Sequence, residues 1–372
     1  SACFGTKADN VTDDTAALSA AFNHAVASVS ATGVTLEAGT FVVSSPLPAV
    51  RKIGFHLRGA GPELTVIRPT AAFTAGQVVI TLRRPVAELG FGYDVGAFSV
   101  KATAVNPAVA LHLEELSLSK FEHIRIVRMA TALRLREVWD CEFYSIKTDL
   151  SGSGTANPVI DLQALVAGSG GSSNNNSFFA VQVESYAGTP LYLGPDSHRN
   201  HFFGLKVHGL QPVANAFVGV VLDDAQGNVF IGGNHTYAAA SHFELRNGSD
   251  GNTFVGNCMS GTPDWCIDIV NGALNTVTGN VFGESGASGG SVRVQAGFDN
   301  AVDGANPSNV VTQVTDTAGR GGIRNIFNDD VEFGITAVPG LLFRDRAATT
   351  TRRRFYHDNG TIGIESVTGT FF

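Results

Sequence analysis

The sequence predicts an all-β fold: a single-stranded, right-handed parallel β-helix, or solenoid, with an N-terminal capping helix and a small C-terminal β tail. Three observations predict it. Asparagines precede apolar strands at Asn176, Asn200, Asn228, Asn252, Asn275, Asn300 and Asn325, spaced 23 to 28 residues apart. Phe178, Phe202, Phe230 and Phe254, then Val277, lie two positions after the first five. Before the asparagines run apolar-x-apolar strands such as Leu191-Tyr192-Leu193, Phe243-Glu244-Leu245 and Ile267-Asp268-Ile269. A unit of about 24 residues holding two or three strands of period two cannot bury its apolar side alone. Coiling the units so that equivalent strands stack about 4.8 Å apart buries one continuous core. A leucine-rich repeat would need a Leu-x-x-Leu-x-Leu frame, which is missing, and a propeller blade needs about 40 residues.

Taken in order, residues 1–70 read as an N-terminal cap. Leu18, Ala21, Phe22, Ala25, Val26 and Val29 follow helical spacing, with Asp13 and Asp14 in the first turn where the helix dipole favours them. Gly33–Val43 then reads as two short strands around a turn, and Arg58-Gly59-Ala60-Gly61 precedes a strand over 64–67. Residues 71–330 are assigned to the solenoid, with the coil pattern visible from about residue 108. The recurrent Asn suits a turn, where it tolerates left-handed backbone and its amide bonds the copy in the next coil. Residues 331–372 break the pattern. There Asn359-Gly360 between two apolar runs signals a hairpin, read as a β tail and a possible trimerisation element.

Composition excludes several classes. The chain has 372 residues, a formal charge of -8 and 16% charged residues, so there is no basic footprint for nucleic acid. No apolar run reaches the roughly 18 residues of a membrane span, and the N-terminus lacks a basic-then-apolar leader. Cys3, Cys141, Cys258 and Cys266 have no metal-ligand spacing. Cys258 and Cys266 could form a bridge or stay as buried thiols. Neither a metal nor a cofactor is expected.

Asp13-Asp14-Thr15-Ala16-Ala17-Leu18, Leu36-Glu37-Ala38-Gly39-Thr40-Phe41 and Arg58-Gly59-Ala60-Gly61 together resemble the opening of the pectate-lyase-like β-helix superfamily. That superfamily includes tailspike depolymerases, polygalacturonase-like hydrolases, polysaccharide lyases and sugar epimerases. The resemblance implies action on, or binding of, long acidic or branched polysaccharides. The tail, Leu342-Phe343-Arg344-Asp345 through Phe355–Glu365, looks like the short β tail that follows the β-helix in bacteriophage tailspikes. It implies a homotrimer on a virion tail whose partner is a bacterial surface polysaccharide, a capsule or a lipopolysaccharide O-chain. The alternatives are a secreted lyase or epimerase and a non-catalytic receptor-binding β-helix. The chain lacks the Asn-Thr-Asp, Gly-His-Gly and Arg-Ile-Lys motifs that a polygalacturonase would carry.

Glycosidic hydrolysis needs two carboxyl groups, one protonated and one ionised. On a solenoid they must point outward, and stacking aligns outward positions into ladders. The first ladder follows the apolar-x-apolar strand, where Glu244 and Asp268 share register with carboxyls roughly 5–6 Å apart, near the retaining separation. Asp223 and Arg246 flank them, and Tyr192 offers a stacking platform for a sugar ring. This strand resembles the one that carries catalysis in polygalacturonase-like members. The second ladder follows the Asn-x-Phe strand and presents Asp149, Glu184 and His208, then His235 with Tyr237, beside Lys206. The expected catalytic carboxylates are Glu244, Asp268, Asp223, Glu184 and Asp149. The expected substrate-binding groups are Arg246, Tyr192, Lys206, His208, His235 and Tyr237.

Overall fold

The computed structural model describes residues 4–302 except 31, 86–89, 153–156, 167–170, 185, 210–216, 239, 262–264, 283–291 and 298–299, together with the backbone of 326–327, 341–344, 351–358 and 361–368. It is a parallel β-solenoid of about 10 turns with one short helix near the N-terminus. Each regular coil lays down three strands. One coil, for example, uses His201–Phe203, Lys206–His208 and Val220–Asp223, which we term the first, second and third faces. Equivalent strands pair in parallel from coil to coil, so every face is a flat ladder in strict register.

Side-chain alternation fills the interior. On the first face Phe121, Phe143, Phe178, Phe202, Phe230 and Phe254 point inward and stack, with ring centroids 4.5 Å apart between Phe143 and Phe178 and 5.3 Å between Phe230 and Phe254. Leu162, Leu193, Leu222, Leu245 and Ile269 line the third face from within.

Two devices turn the corners. Between the first and second faces, Ala180, Gly204, Gly232, Gly256 and Gly279 all adopt left-handed backbone. An added Cβ at Gly204 or Gly232 would meet nothing within 4 Å, so conformation rather than space asks for glycine. Between the third and first faces, Asn176, Asn200, Asn228, Asn252, Asn275 and Asn300 form a buried ladder. Asn200 is representative. Its Nδ2 donates to Ser173 O at 3.0 Å and Asn228 Oδ1 at 3.1 Å, while its Oδ1 accepts from Asn176 N and Nδ2. Every hydrogen-bonding position of that amide is therefore used. Asn325 lies outside the described residues.

At the N-terminal end the helix spans Thr15–Ala27 and buries Leu18, Ala21, Phe22 and Ala25, with Phe22 against Phe55. Lys52 Nζ donates to Ala25 O and Ser28 O at its C-terminal end. The helix starts after the expected first turn at Asp13 and Asp14 and ends before Val29. Asp9–Asp13 is instead a strand paired with Gly39–Val43, Val29 is fully exposed, and Asp13 and Asp14 precede the first turn. Asp14 is buried because its carboxylate accepts from Lys7 N and Ala8 N, while Asp13 accepts from Thr15 N. Coil-to-coil pairing thus begins before the visible repeat, with Gly33–Thr35 on His56–Arg58 and the latter on Asp94–Gly96.

The tail strands Leu341–Arg344, Thr351–Asp358 and Thr361–Thr368 form an antiparallel three-stranded sheet. Its last register pair, Asp358 with Thr361, closes a two-residue connection, the hairpin expected from Asn359-Gly360. Cys141, Cys258 and Cys266 are free thiols, Cys258 being exposed.

Candidate functional site

The third face carries a continuous polar ladder on its outer side. Thr81, His112, Arg134, Asp161, Tyr192, Val221, Glu244, Asp268 and Arg293 follow one another in register. The adjoining outward column runs Arg83, Glu114, Arg136 and Gln163, then, further along, Asp223 and Arg246. Over these columns lies a groove of about 610 Å³, lined among others by Arg134, Arg136, Asp161, Tyr192, Glu244 and Arg246.

At one end of the groove four groups form a connected constellation. Arg246 Nε and Nη2 donate to Asp223 Oδ2 at 2.9 and 2.8 Å, and its Nη1 donates to Glu244 Oε1 at 3.2 Å. The Tyr192 hydroxyl donates to Asp223 Oδ2 at 3.0 Å, and Asn247 Nδ2 donates to Oδ1 at 2.6 Å. Burial alone would raise the Asp223 pKa. The bonds from Asn247, Arg246 and Tyr192 outweigh it and hold the carboxyl below its usual value. Burial, then the neighbouring Asp223, pushes the Tyr192 phenol up to about 12. Asp223 and Glu244 sit diagonally on adjacent coils, one strand spacing and two residues apart, or roughly 8 Å between backbones.

Glu244 and Asp268 are in register on neighbouring coils, but their surroundings differ. Asp268 is 3% exposed. Arg293 engages both of its oxygens, and Gln295 Nε2 adds contacts of 3.0 and 3.1 Å. Arg293 in turn lies over the Trp265 ring. Asp268 is thus a fully bonded carboxylate beside the groove, whereas Glu244 lines it.

The other end of the groove holds groups outside the expected catalytic and substrate-binding residues. Asp161 is 4% exposed. It bonds Arg136 and Gln163, and Arg134 Nε stands 3.8 Å away. Two coils before Asp161, buried Glu114 pairs with Arg83 of the preceding coil, and His112 Nε2 lies 3.7 Å from that carboxylate. Burial, helped by Arg134, Arg136 and Arg83, pushes the His112 pKa down to about 3, so the ring is neutral. A signal existed in the sequence, because Leu111-His112-Leu113-Glu114 repeats the alternation of Leu133-Arg134-Leu135-Arg136.

The second ladder divides. Asp149, Glu184 and His208 align on the outer second face, and Thr236 follows them. Glu184 is clamped by Lys206 at 2.5 Å and Lys147 at 3.0 Å, which holds its carboxyl below the usual range. Asp149 pairs with Arg125 at 3.5 Å. His208 Nδ1 and Thr236 Oγ1 are 3.0 Å apart, and the Tyr237 ring packs edge-on against His208. His235 does not join them. It stands in the inward column between Val207 and Met259, fully buried, with its ring 4.5 Å from Phe243. In a strand of period two, Asn234-His235-Thr236 aligned with Lys206-Val207-His208 must turn His235 to the core.

Residues 3–132 match a family model described as rhamnogalacturonase A/epimerase, pectate lyase-like. No curated protein matches the chain in sequence. Among solved structures, it is similar to ORF18 of Geobacillus virus E2, with a TM-score of 0.68 at 18% identity, covering 99% of this chain and 76% of that one. It is also similar to the enzymatically active domain of tailspike protein 2 of bacteriophage CBA120, with 0.59 at 10% identity over 98% and 69%. The mannuronan C-5 epimerase A-module of Azotobacter vinelandii gives 0.55 at 13% identity over 89% and 98%. The fold is the pectate-lyase-like β-helix, an architecture shared with polysaccharide-active enzymes and phage proteins.

Proposed function

We propose that this protein binds and cleaves a bacterial surface polysaccharide in the groove of the third face, as a phage tailspike does. The observation that carries the reading is that Tyr192, Glu244 and Arg246 line the end of that groove, with Asp223 bonded to Tyr192 and Arg246. Hydrolysis needs one ionised and one protonated carboxyl. Asp223, held low in pKa by three donors, is suited to remain ionised and activate water. Glu244 lines the groove and is the candidate acid for the leaving oxygen. Arg246 and Tyr192 fix Asp223, while Asp268 with Arg293 braces the coil behind Glu244. Asp149, Glu184, Lys206, His208 and Tyr237 form a second polar track that serves binding. The likeness to phage proteins over nearly the whole chain and the antiparallel tail support a trimer on a virion.

One observation favours an alternative. Arg134, Arg136 and Arg246 all line the groove, and guanidinium groups suit uronate carboxylates, so β-elimination is the second reading. Incubation with a panel of purified capsular and O-chain polysaccharides, read by mass spectrometry, tests both. Products heavier by one water per cleavage support hydrolysis, and unsaturated products support elimination. Intact polymer throughout would sink both.

A further inference from the structure

One corner away from the groove, on the same coils, lies a second cleft. It encloses about 620 Å³ between Asp140, Asn174, Asn175, His198, Arg199 and Gln226. Neither polar ladder includes these residues. His198 follows the strand that carries Tyr192, and Gln226 follows the strand that carries Asp223.

The corner backbone shapes the cleft. Asp140, Asn175, Arg199 and Gly227 form one column, each in left-handed conformation with φ of 54°, 55°, 52° and 65°. Their amides are spent on the next coil, as Arg199 N on Gln226 O, so the side chains alone face outward. Gly227 leaves the column open beside Arg199, whose Cγ would lie 3.4 Å from an added Cβ. The residues that follow Asn175, Arg199 and Gly227 in the chain are the saturated ladder of Asn176, Asn200 and Asn228. General solvation of the corner does not explain this set, because further along the column Leu274 is an exposed leucine.

The polar inventory indicates the ligand class. Asp140 accepts one bond from Asn175 and keeps a second oxygen for a donor. The side chains of Arg199 and Gln226 have no hydrogen-bond partner among the described residues. His198 Nδ1 is buried without a partner, and its Nε2 lies 3.8 Å from Asp196. An anion would meet the Asp140 carboxylate unfavourably. Hydroxyl groups, which donate and accept, satisfy carboxylate, amide, imidazole and guanidinium together. The geometry points to an accessory carbohydrate-binding cleft that holds an uncharged, hydroxyl-rich stretch of the glycan whose neighbouring stretch occupies the third-face groove. This rests on the glycan reading of that groove.

The test uses the full chain in affinity electrophoresis through gels cast with each purified polysaccharide of the panel, beside turnover of short oligosaccharides prepared from it. Arg199→Asn and Gly227→Asn keep the left-handed backbone accessible. The first removes the guanidinium, and the second fills the cleft without removing any group. Both are expected to weaken retention by the polymer at least tenfold while short-oligosaccharide turnover stays within twofold. Polymer retention equal to wild type in both variants overturns the cleft and leaves the groove reading intact. Absence of both retention and turnover in the wild type overturns the groove reading and this inference together.

Discussion

At the scale of single residues the account rests on which carboxylates are free to act. Asp268, Glu184 and Asp223 each accept from two or more side-chain donors, whereas Glu244 accepts one bond, from Arg246, and lines the groove. Glu244→Gln and Asp223→Asn should each lower cleavage by about 10²–10⁴-fold, and Glu184→Gln should change it by less than about threefold; initial rates on one polymer decide this. The buried pair His235 and His242 supports a second prediction. Among the described residues the His235 ring nitrogens have no hydrogen-bond partner, and the His242 ring has only the Ser260 backbone beside it. Burial lowers the His235 pKa well below its ordinary value and the His242 pKa to about 4. Below about pH 6.5 the unfolded chain binds protons at these sites and the folded one does not. Stability is therefore fully present above that pH and falls as pH drops toward 4, by about 2–3 kcal/mol for His242 alone. His235→Met, matching Met259 in the same column, should raise the unfolding midpoint at pH 4.5 more than at pH 7.5. An equal shift at both pH values would contradict this.

At the scale of elements, the Asn ladder and the Phe stack hold the coils in register. Asn228→Ala leaves the Asn200 N–H, one Asn200 Nδ2 hydrogen and Ser197 O without their partner, at about 1–3 kcal/mol for each unsatisfied group. Phe202→Ala opens a cavity between Phe178 and Phe230 and costs about 3–5 kcal/mol. Chemical denaturation checks both, and a loss under about 0.5 kcal/mol in either would count against a rigid stack. These were the elements legible in the sequence, because a turn that needs Asn and a core that stacks Phe repeat the same residue types at a fixed interval. The early coils were harder to see. Their strands Asp94–Glu114 and Lys120–Arg136 run long without an Asn-x-Phe marker, so His112 and Glu114 went unassigned. His235 was placed outside because its residue type suggests a surface. Gly233, where the previous coil has Leu205, leaves the room inside that its ring fills. Which carboxylates are clamped could not be read from a column order, since it depends on rotamers of Arg246, Arg293 and Lys206.

At the scale of the whole molecule, the solenoid turns a one-dimensional repeat into long outer faces, and the third carries a groove beside carboxylates on adjacent coils. The open ends of such a stack need covering. The helix Thr15–Ala27 packs its apolar residues on the core at one end. If the tail sheet covers the other by joining three copies, sedimentation should give a trimer, and removal of residues 331–372 should give monomers; a full-length monomer would contradict the tailspike reading. The most direct measurement is a crystal structure of Glu244→Gln soaked with an oligosaccharide from the polymer that the protein binds. The account predicts sugar density along the third face, from Arg134 and Asp161 past Tyr192 to residue 244, with a glycosidic oxygen beside the substituted side chain. Density confined to the second face, over Glu184 and His208, would contradict it.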